Sequence, residues 1–139
     1  MAQDANDANG QQNAFFIFNV NVDGINLTQT LNTDINLWGI HLDGDKLFAI
    51  VDNSNMLAEF DDIFSQSGSS VSPDRTVMIE GIVRTHGLTY NAASDQMFLT
   101  DIGAAGSDSD GAFTVINNYM QASSDGIVTL SEQNRIEGA

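Results

Sequence analysis

The feature that most constrains this chain is an internal repeat. Trp38-Gly39-Ile40-His41-Leu42 returns 48 residues later as His86-Gly87-Leu88-Thr89-Tyr90. Leu47–Asp52 returns with its last residue 49 positions on, at Asp101, and Ile79-Glu80-Gly81 returns 57 positions on, as Ile136-Glu137-Gly138. The spacing grows because the second unit has the longer loop after its Asp. A period of this length marks an array of supersecondary units, each stacked on its neighbour to bury a shared core.

Each unit reads as short strands parted by turn residues. Asn36–Leu42 and Lys46–Val51 flank Asp43-Gly44-Asp45, Met56–Phe60 follows, and the long polar loop Asp61–Pro73 leads to Arg75–Glu80. The second unit runs Thr85–Asn91, Gln96–Thr100, Ala112–Asn117, a polar loop Asn118–Asp125, then Gly126–Ser131. Ahead of both, Ala14–Val22 and Ile25–Leu31 form a hairpin about Asp23-Gly24, a strong short-range signal. No stretch holds a helical period with caps. The fold class expected is all-β. Four antiparallel strands in roughly 40–50 residues is the size of a β-propeller blade. The opening hairpin then supplies the outer strands of a half blade at 14–35, followed by blades at 36–81 and 82–139. Residues 1–13 read as a flexible polar arm without periodicity.

The blades share a pattern: Gly-apolar-x-apolar, a turn, an apolar strand closed by Asp, a turn, and a Ser/Gly loop. With Ser72-Pro73-Asp74-Arg75-Thr76 and Thr85-His86-Gly87-Leu88-Thr89-Tyr90, this resembles NHL-type β-propeller repeats of bacterial secreted proteins over residues 14–138. The resemblance implies an extracellular setting. It also implies that Asp52 and Asp101 close equivalent strands and tie down loop backbone. Closed propellers of this kind have four to eight blades, and two and a half are too few. An incomplete ring would expose apolar faces and a bare sheet edge. The chain is therefore expected either to belong to a longer protein or to complete its structure by self-association as a homo-oligomer, closed or filamentous. Phe15, Phe16, Trp38 and Arg84 are the interface candidates. A compact monomeric sandwich is the alternative.

Charge narrows the functional classes. The 139 residues carry 19 acids against 4 Lys and Arg, a formal net charge of −15. So few cations cannot neutralise a run of phosphates, which argues against nucleic acid and anionic lipid as partners. No apolar run approaches the ~20 residues of a membrane-spanning helix. With no Cys, disulfides and thiol chemistry are absent. Fifteen of the 19 acids are Asp, a turn former, so most of the charge belongs to loops on a solvated surface.

Asp101 with Asp108-Ser109-Asp110-Gly111 is the most ligand-like cluster. Asp-x-Asp-Gly resembles part of a calcium loop, and hard cations want several oxygens. Asp101, Asp108 and Asp110 are thus candidate Ca²⁺ ligands, against the plainer reading of a turn before a strand. The two histidines, His41 and His86, occupy non-equivalent positions in the repeat. His86 could act as a base or ligand. Hydrolase and phosphate-loop signatures are missing. The expected function is a non-catalytic secreted module that works through self-assembly or partner binding. The alternatives are a calcium-dependent lactonase-like hydrolase and a Ca²⁺-cross-linked matrix or adhesion component.

Overall fold

A computed structural model describes residues 1–3, 12–107, 110–131 and 134–137. The fold is all-β, built from three sheets in chain order. The first holds β1 (Ala2–Gln3), β2 (Ala14–Asn21) and β3 (Gly24–Asn32). The second is the meander β4 (Leu37–Asp43), β5 (Lys46–Val51), β6 (Met56–Phe60) and β7 (Arg75–Glu80). The third runs β8 (Thr85–Asn91), β9 (Gln96–Asp101) and β10 (Ala112–Asn117). Two short strands follow, β11 (Ile127–Thr129) and β12 (Arg135–Glu137). The structure also contains an α-turn, α1 (Tyr119–Ala122), and a 3₁₀ turn at Ile63–Ser65.

Strand alternation explains the stacking. Side chains i and i+2 share a face, and β5 is apolar on both. Phe48 and Ile50 enter the core shared with the third sheet, through Leu57, Val77, Met97, Leu99 and Ile116. Leu47 and Ala49 enter the core shared with the first sheet, through Phe15, Leu31 and Phe60. The second sheet is thus the filling between the other two. A strand buried on both sides reads as a continuous apolar run, and Leu47-Phe48-Ala49-Ile50-Val51 is one.

The repeat survives in three dimensions with one adjustment. Ile40 pairs with Ala49 and Leu88 with Leu99. The β4–β5 turn is Gly44-Asp45, closed by the pair Asp43 and Lys46; the β8–β9 turn is residues 92–95, closed by Asn91 and Gln96. The second turn is two residues longer, and an even insertion preserves which side chains face in. Ala49 therefore corresponds to Leu99, and Val51 to Asp101. The expected equivalence of Asp52 with Asp101 is off by one residue, which would have placed each on the wrong face.

Two further expectations change. Gly126–Ser131 does not close the last unit: β11 adds parallel to β7, with Val128 beside Ile79, and β12 takes the place beside β10. Burial accounts for the detour, because Val128 joins the core between the second and third sheets. It also covers the edge of β7, an otherwise bare row of amides and carbonyls. The start of the polar arm is itself a strand, since Ala2 and Gln3 pair with Phe15 and Ala14. Residues 4–11 of the arm lie outside the described residues, and Asn13 at its end is buried.

One buried carboxylate ties distant segments together. Glu59, 1% exposed, sits in the apolar strand β6. Arg75 Nη2 donates to both its oxygens at 2.8 and 2.9 Å. Tyr119 Oη donates to Glu59 Oε1 at 2.8 Å from 60 residues away. Lys46 Nζ lies 3.2 Å from Glu59 Oε2 and also pairs with Asp61. Arg75 then donates to the carbonyl and hydroxyl of Ser123, fixing the far end of α1. Removing one partner of such a group costs about 3–5 kcal/mol, because the remaining charge is left buried.

Two predictions follow from this packing. Phe48→Ala removes a side chain with no exposed surface and should cost about 3–5 kcal/mol in urea unfolding. A loss under about 1 kcal/mol would place Phe48 outside the core. Stability should also fall at high pH. Burial lowers the pKa of Lys46, but its hydrogen bond to Asp61 and the charge of Glu59 outweigh this and raise it. Burial, then the charge of Glu59, raises Tyr119 far above its ordinary value. A folded-state pKa above the unfolded one gives stability that is complete below the unfolded value and lost as pH rises through the folded one. The urea midpoint should therefore drop between about pH 9 and about pH 12. The double variant Lys46→Met/Tyr119→Phe should flatten that drop; an unchanged slope would remove both groups from it.

Candidate functional site

The second and third sheets meet along their first strands, β4 and β8. Positions matched by the repeat touch there. Trp38 and His86 are matched, and their rings lie 5.1 Å apart. His41 and Thr89 are matched, and His41 Nδ1 lies 3.3 Å from Thr89 Oγ1. A Cβ at Gly39 would crowd Ile50 Cδ1 of its own sheet at 3.2 Å and would meet the His86 carbonyl of β8 at an ordinary contact distance of 3.8 Å.

At the end where β4 and β8 begin, the joint opens into a cleft of about 300 Å³. Trp38 comes from β4, Asp52 and Asn53 from the turn after β5, and Arg84, Thr85 and His86 from the entry to β8; Ile102 follows β9. Asn53 is left-handed, with φ 53°, a conformation Asn tolerates better than most residues. Ser54 closes the turn: its hydroxyl donates to the Val51 carbonyl and accepts from the Met56 N–H. Thr85 N–H donates to the Ser54 carbonyl at 3.0 Å, stitching the two walls together.

Asp101 builds the wall that carries Arg84. Its carboxylate is buried and accepts three backbone N–H groups, from Val83, Arg84 and Gly103, each at 2.9 Å. Ile102 N–H returns to the Arg84 carbonyl, and Arg84 Nε donates to the Gly103 carbonyl at 2.7 Å. The guanidinium is thereby held at one nitrogen. Among the described residues no carboxylate lies within ion-pair distance of it, whereas Lys46 and Arg75 are both paired.

Of the candidate metal ligands, Asp101 thus spends both oxygens on backbone. Asp110 Oδ2 accepts from the Ala104 N–H at 2.9 Å. That bond, then the Ser107 hydroxyl, holds its carboxyl below the usual range. Gly103 has φ 70°, and a Cβ there would overlap the Asp110 carboxylate. Asp108 lies outside the described residues. Among those described, no group of three His, Cys, Asp or Glu side chains could hold a metal ion.

The interface candidates divide. Phe15 is buried in the chain's own core, edge-on to Phe60 with centroids 5.0 Å apart. Its site is taken from within, because Phe15 packs with Leu37, Leu47 and Phe60 of the second sheet. Phe16 lines a mainly apolar groove with Phe18, Ile40, Leu42 and Phe64. Trp38 is 52% exposed, and it shares the cleft with Arg84. Glu59, Tyr119 and Ser123 escaped sequence reasoning. The available signal was a single acid inside an otherwise apolar strand, Met56-Leu57-Ala58-Glu59-Phe60. Asn53 and Ile102 were missed because only the packing of two sheets gathers them.

Compared with known proteins, the chain matches no family model, no curated protein and no solved structure. No helix among the described residues is long and apolar enough to cross a membrane.

Asp101→Ala should orphan three buried donors, at about 1–3 kcal/mol for each left without water. Amide exchange at Val83, Arg84 and Gly103 should accelerate ahead of the core strands. Unchanged protection at these three amides would show that the carboxylate does not hold the wall.

Proposed function

We propose that the three sheets are successive blades of an open β-propeller-like stack, and that the chain is a non-catalytic module completed by further copies of itself. The observation carrying this reading is the outer face of the third sheet. By register, Phe98 holds the position of Phe48, and Phe113 that of Leu57. Phe48 and Leu57 are fully buried beneath the third sheet, whereas Phe113 is 39% exposed and stands beside Phe98, ring centroids 6.1 Å apart. The repeat places aromatic side chains where a following sheet would cover them. At the other end, the opening hairpin pairs Phe18 with Leu27 and Val20 with Ile25, all four exposed. A head-to-tail contact would bring these apolar ladders to the outer face of the third sheet of another copy.

The contacts of matched positions across β4 and β8 agree with first strands gathered about a common axis. The charge of −15 opposes association, and salt screens it, the Debye length falling from about 10 Å at 0.1 M to about 3 Å at 1 M. Light scattering after size exclusion should therefore show a dimer or larger species, more of it as salt rises. Phe98→Asp/Phe113→Asp should return the monomer without loss of β-sheet circular dichroism. A monomer across the whole salt range would overturn the reading. Adding Ca²⁺ as a separate arm tests cross-linking through the acidic surface: an oligomer only with Ca²⁺, indifferent to the Phe substitutions, would also overturn it.

A further inference from the structure

We propose that the cleft between Trp38 and Arg84 binds a single sugar ring bearing a carboxylate. This is independent of assembly, because both walls belong to one chain and lie at its internal joint. The volume, about 300 Å³, sits at the small end of ligand pockets, ~300–1,000 Å³, so it suits one ring. Trp38 offers a half-exposed indole propped against His86. An indole face is a platform for the apolar C–H face of a ring, in a side chain that combines large contact area with a polar edge. Asp52 and Asn53 supply acceptors and an amide donor for hydroxyls on the same rim.

Arg84 selects the charge. Its Nε is fixed by the Gly103 carbonyl; among the described residues no carboxylate lies within ion-pair distance of its remaining donors, although the charge of Asp110 is near enough to interact with it. A guanidinium held this way presents a fork that matches a carboxylate. A phosphate dianion fits less well, because a single Arg faces it while Asp52 stands in the wall and the whole protein is strongly negative. Thr85 also lines the cleft; it is 3% exposed, and its hydroxyl oxygen is one of three buried side-chain oxygens, with those of Asp110 and Thr114, that lack a hydrogen-bond partner among the described residues. Buried polar groups are nearly always paired.

The chain contains one Trp, and it is in the cleft, so its fluorescence reports occupancy directly. The full chain is titrated with glucuronate, with glucose and with inorganic phosphate at constant ionic strength. Glucuronate should shift Trp38 emission saturably, with glucose and phosphate each at least about tenfold weaker, the size expected for losing a charged hydrogen bond. Arg84→Gln should weaken glucuronate at least about tenfold and leave glucose unchanged. Arg84→Lys, which keeps the charge but not the fork, should fall between. The urea midpoint of each variant establishes that it is folded. No saturable response to glucuronate, equal binding of phosphate, or full affinity in folded Arg84→Gln would each overturn the proposal. Saturation with all of this in place in a monomer would separate the cleft from the assembly reading.

Discussion

The buried carboxylate of Glu59 is the constraint around which the rest is arranged. A charge with 1% exposure inside an apolar strand is tolerable only if fully met by donors. The chain has only four Lys and Arg, and two of them converge here, with a phenol from α1. That requirement fixes the loop after β10, because Tyr119 must reach Glu59 and Ser123 must meet Arg75. Once α1 is in place, the chain runs on into β11 beside β7 instead of returning directly to β10. The detour at the end of the chain thus depends on one acid in its middle together with the burial of Val128.

The second organising constraint is parity. A sheet stacked between two others needs apolar side chains on both faces, and any odd insertion would exchange them. The β8–β9 turn is longer than its counterpart by two residues, and Leu99 still packs where Ala49 does relative to its own neighbour. The third sheet departs from the second in what it leaves uncovered. Its outward Phe98 and Phe113 occupy positions that are core in the second sheet. The surface is unusual in location rather than in composition.

The cleft arises from the same stacking. Two first strands side by side bring matched positions into contact, and the loops at their ends make a rim. Asp101, which in sequence resembles a cation ligand, works as an acceptor for three amides and thereby aims Arg84. A carboxylate is suited to this, because acceptance of several N–H groups by a charged group is stronger than by a neutral one. Arg84, unlike Lys46 and Arg75, has no carboxylate within ion-pair distance among the described residues, and is left with donors to spare.

The sequence by itself determined the class of structure. Alternation, Asp-Gly turns and the repeat identified the β-strands and located most hairpins to within a residue. Even there the first turn fell one residue early, at Val22 and Asp23, because Asn21 pairs with Gly24. Local patterns settle such features because period and turn chemistry are local. The tertiary structure alone decided what depends on meetings between distant segments. Among these are the place of β11, the burial of Tyr119 within a polar-looking loop, the partners of Glu59, and the grouping of Trp38 with Arg84. A strand of three residues such as Ile127–Thr129 pairs as readily with one edge as with another. Only the burial of Val128 and the anchoring of Ser123 select the edge, and both are properties of the packed whole.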